Sequence, residues 1–457
     1  MADRIAELEL RLAAVEQRLA ALEGERAQEV KTGAREADED APQGDGIAAA
    51  ASAQAGRILL VFGGAYFLRA ITEGGFVPAA IGLLLGAIYA VSWLFVAYRA
   101  ARLEEQRLKA SFLAGTSVLL TLPLLHEATT RFAMLSGTAS IICLTVFALG
   151  ALTLTALRDL KVVAWLVVAG SIATAIGSLI ATQAALPVVA FLIVLGFASL
   201  WATYWRDWIG LQWLGALGAI VGVLATIGLS MSEKWQISVY LPIISAIVLL
   251  SGYLLSFTYQ THVRGRLVNV FEAVQTFVAG GIVLAASAVA IRGGHLGASS
   301  VGAMALVLGV GGYALATSRE TRRLRYRNFF YYSYFGLVFV LTGTALLLPP
   351  GLAAFVWGVL AIAAGLYSAR AGWVSLSLQC TLLLIAAGVA SGLLGVGFEA
   401  LVGDPTAGWA FPRTVHYVVA LATVTCLFIP VAQRSERWGT LENMPQLIVL
   451  ALATWEV

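Results

Sequence analysis

The ionisable side chain standing deepest in an apolar run is Glu272, within residues 267–291. Asn269, Glu272 and Thr276 recur at spacings of three and four, which puts them on one face of a helix. A charge buried in a lipid-like interior costs about 2.5 kcal/mol or more on insertion scales, so a carboxyl kept there needs a partner or a task. Two chemistries suit this triplet: a proton or cation site, or a hydrogen-bonded carboxyl that ties two helices together. Arg266 stands six residues earlier, which is about 9 Å along a continuous helix.

A second group consists of His126, Glu127, His295 and His416, with Glu399 and Asp404 in a loop. Gathered by the fold, these residues could hold a metal or an anionic headgroup. No HExxH or comparable ligand spacing is present, so the sequence predicts neither a metal site nor a cofactor. It also lacks GxSxG, Walker A, a dinucleotide fingerprint and a paired-carboxylate motif in a polar setting, and no enzymatic reaction is expected. Cys143, Cys380 and Cys426 lie in separate apolar runs without CxxC spacing and read as small packing residues, not as disulfides or ligands.

The elements that must position these residues are set by composition. Of the 457 residues 60% are hydrophobic and 12% charged, a balance that water cannot solvate on a folded surface. The expected fold class is all-α: a polytopic helical membrane protein with about fourteen spanning helices behind a short N-terminal coiled-coil helix. The runs fall near 58–72, 76–98, 110–126, 132–157, 162–181, 184–204 and 208–230. Seven more lie near 235–258, 267–291, 296–317, 329–349, 351–369, 372–394 and 415–432. The first and third are short for the ~20 residues a bilayer core requires. Arg57 and Arg69 flank the first and can snorkel from its ends, with Arg69 pairing to Glu73 one turn on.

The domain reading is a cytoplasmic coiled-coil helix at 1–30, an acidic then Ala-rich linker at 31–56 and a transmembrane domain at 57–443. A further apolar helix begins at 444–457, where PQLIVLALATWEV is shorter than a span. That segment suits an interfacial half-helix or, the favoured alternative, one part of a longer membrane protein. The tail places Ile5, Leu8, Leu12, Val15, Leu19 and Leu22 at spacings of 3, 4, 3, 4 and 3, an a/d heptad seam. Its g positions are Arg4, Arg11 and Arg18 and its e positions Glu9, Glu16 and Glu23, so a parallel pair sets Arg against Glu throughout. The seam predicts a homo-oligomer through residues 1–30. A single amphipathic helix is the alternative, because three heptads are marginal alone.

Residues 1–56 hold six Lys+Arg and twelve Asp+Glu, which leaves 23 basic and 14 acidic residues of the chain's 29 and 26. The basic surplus is distributed by loop. Seventeen Lys/Arg occupy one alternate set, with clusters at Arg99, Arg102, Arg107 and Lys109 and at Arg319, Arg322, Arg323, Arg325 and Arg327. Four (Arg131, Lys234, Arg292 and Arg413) occupy the other. This asymmetry predicts a multi-pass protein with its N-terminus in the cytoplasm. The lipid bilayer is the expected partner and nucleic acid is not, since no basic stripe or nucleic-acid motif is present. In the longest outer loop, 395–414, Trp409 and Phe411 suit an interfacial position.

The heptad tail, the acidic linker and the segment GRILLVFGGAYFLRAITEGGFVPAAIGLLLGAIYA at 56–90 resemble the bacterial family known as domain of unknown function 2339. The resemblance is strongest over the tail and first two spans. It implies a many-helix protein of the bacterial inner membrane, often longer than this chain, and supplies no catalytic residues.

The basic residues Arg99, Arg158, Arg206, Arg264, Arg319, Arg370 and Arg434 recur at separations of 59, 48, 58, 55, 51 and 64. Two spans with short loops produce such a period by geometry alone, so it does not by itself establish a repeat. Gly82, Gly86 and Ala90, Gly218 with Gly222, and Gly388 with Gly392 recur every fourth residue and predict helix faces for close packing. Pro123, Pro187 and Pro242 mark runs that could form broken helices. Two functions remain: a transporter or lipid-handling protein with an unknown small-molecule or lipid substrate, and a non-catalytic scaffold assembled through the tail.

Overall fold

A computed structural model describes residues 56, 59, 61–67, 69–235, 237–318, 326–371, 373–402, 414–429 and 444–456. The heptad seam, the linker to Ala55, and Asp404, Trp409 and Phe411 lie outside the described residues. Every regular element described is helical. A leading helix occupies 61–67 and 69–73. There follow α1 Ala79–Ala100, α2 Arg107–Thr130, α3 Gly137–Arg158, α4 Lys161–Thr182, α5 Ala185–Arg206 and α6 Leu211–Ser230. Next come α7 Tyr240–Thr258, α8 Val270–Arg292, α9 Ala298–Thr317, α10 Tyr326–Leu347, α11 Pro350–Ala371 and α12 Val374–Ser391. The last are α13 Leu393–Val402, α14 Thr414–Leu427 and α15 Met444–Glu456.

Among the described residues twelve helices, α1–α12, are long and apolar enough to cross a membrane, as an integral membrane protein requires. Large apolar side chains point outward along them, including Ile81, Leu84 and Ile88 on α1, a surface that suits hydrocarbon and not water. Of the fourteen runs expected, the first is helical where described and the last is α14, fourteen residues long.

The helix ends follow local chemistry. Ser136 caps α3 by accepting the Ala139 N–H at 3.2 Å. Asp159 and Asp207 close α3 and α5 in the left-handed region, at φ 57° and 53°. Pro187 and Pro242 stand in the first turns of α5 and α7, where a missing N–H breaks no intrahelical bond, and Pro123 sits within an uninterrupted α2. None of the three breaks its helix, which corrects the expectation of discontinuous spans.

The chain divides into two compact units, residues up to Ala181 and Thr182–Val457. In unit 1, α2 is central: α1 and α3 pack on it, and Gly115 and Gly170 of α2 and α4 admit Leu166 and Leu122 of the facing helix. In unit 2 the closest pairs are α5 with α6, α7 with α8, α9 with α10, and α11 with α12.

The tightest contact in unit 2 uses small residues. On α9, Gly302, Ala305, Gly309, Gly312 and Ala316 are all buried and spaced 3, 4, 3 and 4. A Cβ added to Gly309 would stand 2.7 Å from the Val340 backbone N, and one on Gly343 of α10 would stand 2.7 Å from that of Leu306. The two backbones therefore touch, which supplies dispersion where lipid removes the hydrophobic drive. The expected Gly388 and Gly392 pair does not line one face. Helix α12 ends at Ser391, and Gly392 is its cap at φ 82° with open space where a Cβ would project.

Candidate functional site

Glu272 is 3% exposed and occupies the third position of α8, not a position deeper in the helix. Asn269 is extended (φ −96°, ψ 172°) and begins the helix, so Arg266 lies in the non-helical connector and the expected helical distance between Arg266 and Glu272 does not apply. The Glu272 N–H donates to Asn269 Oδ1 at 2.9 Å, and the Asn269 N–H donates to Glu272 Oε2 at 2.9 Å. This reciprocal capping box sets a carboxylate at the positive end of a helix. Its other oxygen, Oε1, accepts the Tyr204 hydroxyl of α5 at 2.7 Å.

Thr276 lies one turn on, as expected, and donates to the Glu272 carbonyl at 2.8 Å. Its oxygen meets the Tyr331 hydroxyl of α10 at 2.5 Å, and with the Thr276 proton already committed Tyr331 is the donor. Nearby, Asn328 of α10 accepts the Val268 N–H at 2.9 Å, and Arg327 donates to the Val268 carbonyl at 2.7 Å. A π-helical turn, Tyr259–Val263, brings Thr261 to Tyr332 at 2.6 Å, and His262 Nε2 to Ser318 at 3.1 Å. The group is a buried knot joining α5, α8, α10 and the α7–α8 connector. Sequence reading identified Asn269, Glu272 and Thr276 and missed Tyr204, Tyr331, Tyr332, Thr261 and Asn328.

Unit 1 holds a different arrangement. The leading helix, α1 and α2 line an open cavity of about 170 Å³. Its wall is apolar, including Phe62, Leu83, Leu120 and Leu124, and its floor contains Gly82, Gly86 and Ala90. The small residues of α1 thus do two things. Gly82 admits Thr72 and Gly86 admits Leu124, as close packing predicts, and the space left beside them is the cavity. Tyr89 closes one wall by donating to the Val61 carbonyl at 3.0 Å.

Arg69 and Glu127 stand on the rim. Arg69 Nε donates to Glu73 at 2.9 Å, as its spacing predicts, and Arg69 Nη1 donates to Glu127 at 2.9 Å. Arg131 donates to the same Glu73 oxygen at 2.7 Å. The result is a linear chain, Glu127, Arg69, Glu73, Arg131, of two cations and two anions. Its members keep between 27% and 53% of their side-chain surface exposed, so an incoming group can reach them. The hydrogen bond from Arg69 holds the Glu73 carboxyl below its ordinary range, aided by the charge of Arg131.

Each described residue of the expected outer-face group has local surroundings of its own. His126 packs on Gly177 of α4, and its neighbour Glu127 belongs to the ion chain. His295 is exposed in the turn after α8, where its N–H bonds the Ala290 carbonyl at 2.9 Å. His416 is buried on α14 and donates from Nε2 to the Ser391 carbonyl at 2.9 Å. Glu399 is exposed on α13. Among the described residues no three His, Cys, Asp or Glu side chains gather in a way that could hold a metal.

Cys380 and Cys426, distant in sequence, are buried in one apolar cluster. All three cysteines are free. Two further cavities in unit 2, of about 240 and 290 Å³, are lined almost wholly by aliphatic residues of α5 and α7 and of α7–α10. Glu272 lines none of the three. No protein-family model, no curated protein and no solved structure matches the chain.

Proposed function

We propose that this chain is a lipid-handling, non-catalytic protein of the bacterial inner membrane, whose unit 1 cavity receives an amphiphile. The observation that carries the reading is the cavity itself: an apolar wall that ends at a charged rim reachable from outside. Ligand sites of this type are mostly apolar, with a few polar groups that fix orientation. The competing idea, transport coupled through Glu272, loses support because both carboxylate oxygens already accept hydrogen bonds.

The seventeen-to-four division of basic loop residues supports a cytoplasmic N-terminus, which turns the rim toward the outer leaflet. With the leading helix and α14 counted as spans beside α1–α12, the total is fourteen. The tail, the linker and residues 56–90 support a resemblance to the domain of unknown function 2339 family.

The test is lipid retention. Wild type and Gly86→Leu are extracted with surrounding lipid, exchanged into detergent and weighed by native mass spectrometry. Gly86→Leu fills the cavity and is expected to lose bound lipid; Leu83→Trp is a second filling variant that leaves the Gly86–Leu124 contact in place. Equal retention in all three proteins defeats the reading. The heptad seam favours a second role, self-association, which Leu12→Asp with Leu19→Asp is expected to abolish in sedimentation experiments.

A further inference from the structure

We propose that the unit 1 rim selects a zwitterionic headgroup bearing a phosphate and a primary ammonium, with the phosphate on Arg69 and the ammonium on Glu127. The inference rests on the reading of the cavity as an amphiphile site, and adds the chemical class of its ligand.

The tail of an amphiphile cannot supply the selection. Hydrocarbon in the cavity exchanges one apolar surrounding for another, so a lining of Leu, Phe and Gly discriminates little among lipids. Selection falls to the rim, where two arginines and two glutamates form a chain of zero net charge. Arg69 and Glu127 are the members of that chain that line the cavity, and they are bonded to each other at 2.9 Å.

A head entering between them must replace that bond. A monoanionic head pairs with Arg69 but strands Glu127 and brings two anions together. A cationic head does the reverse to Arg69. A head of both signs gives each residue a new partner and leaves the Arg69–Glu73 and Glu73–Arg131 links in place. The planar guanidinium suits a phosphate, which it can meet with paired N–H groups. Glu127 is an acceptor that loses an N–H donor when Arg69 turns to the ligand. A primary ammonium has three N–H groups to replace it, whereas a quaternary ammonium has none.

The probes are phosphatidylethanolamine, phosphatidylcholine and phosphatidylglycerol with identical acyl chains, each titrated onto the delipidated full chain and read by native mass spectrometry. Soluble phosphoethanolamine is the competitor. Phosphatidylethanolamine is expected to bind at least about tenfold more tightly than either other lipid, on the scale of charge-assisted hydrogen bonds. Glu127→Gln is expected to remove that advantage over phosphatidylcholine while leaving phosphatidylglycerol binding undiminished. Competition by soluble phosphoethanolamine assigns the same chemistry to a free solute, and its failure to compete assigns it to a lipid.

Equal binding of the three lipids, all lost in Gly86→Leu, overturns the headgroup inference and keeps the amphiphile site. Preference for phosphatidylglycerol also overturns it. Binding that ignores both headgroup and Gly86→Leu overturns the inference and the cavity reading together. The lipid series on wild type decides the matter even where Glu127→Gln fails to fold.

Discussion

Units 1 and 2 each place a glutamate against polar partners, with opposite results. Glu272 is 3% exposed, and both its oxygens accept hydrogen bonds from neutral donors within the fold. Glu127 keeps 27% of its side chain exposed and faces a cavity, with one oxygen engaged by a single arginine. The first arrangement is complete without a ligand, and its energy goes into fixing helices. The second can exchange an internal partner for an external one, because exposed ion pairs are worth little. Depth in an apolar run is therefore a poor guide to which carboxyl is available for work.

The largest expected effect comes from breaking the buried knot. Glu272→Leu leaves the Tyr204 hydroxyl and the Asn269 N–H without acceptors, at about 1–3 kcal/mol for each stranded donor. A large fall in thermal midpoint, measured in a lipid nanodisc, is the expected outcome. Glu272→Gln keeps one acceptor oxygen and sets an N–H₂ where the second stood, so its loss is intermediate. If Glu272→Leu melts like wild type, the knot is not a tie and the contrast between the units collapses.

A smaller effect is expected at the rim. Arg69→Gln removes two ion pairs whose members are 27–39% exposed, and such pairs contribute about 0–1 kcal/mol. Stability changes little, while selection among lipid headgroups is lost. A fall in midpoint as large as that of Glu272→Leu gives the rim a structural role and removes the distinction.

These two sites were unequally legible in the sequence. Of the fourteen runs expected, twelve are long apolar helices among the described residues, and they were readable because uninterrupted apolar stretches have few other uses in a 457-residue chain. The capping box was also present as Asn269 followed three residues later by Glu272, though the same spacing reads equally well as a helix face. Tyr204 precedes Glu272 by 68 residues, and only tertiary packing brings them together. The rim has the same history: Arg69 to Glu73 follows from helical spacing, whereas Arg69 to Glu127 spans 58 residues. The α9 seam of Gly302, Ala305, Gly309, Gly312 and Ala316 did carry a local signal, small residues at alternating spacings of three and four, but so many small residues fill this helix that the spacing alone does not single out the face.

The smallest expected effect is on titration at the rim, and it tests the order of links within the ion chain. Glu73 is held below its ordinary value of 4.5 by the Arg69 hydrogen bond above all, which desolvation opposes, and then by the charges of Arg131 and Arg69. For a carboxyl depressed in the folded state, the contribution to stability is fully present above the unfolded value and is lost as pH falls through the folded one. The chain is therefore intact at neutral pH, and Glu73 lets go of both arginines only below the ordinary carboxylate range. Carboxyl-carbon NMR of a labelled Glu73 is expected to show a midpoint under 4.5 in the wild type. Arg69→Gln moves that midpoint up more than Arg131→Gln does, since Arg69 supplies the larger part of the depression. A wild-type midpoint at or above the ordinary value, or a larger response to Arg131→Gln, shows that Arg69 does not hold Glu73 in solution. Arg69 would then be held by Glu127 alone, and a ligand taking Glu127 would leave it with no second link to keep it at the rim.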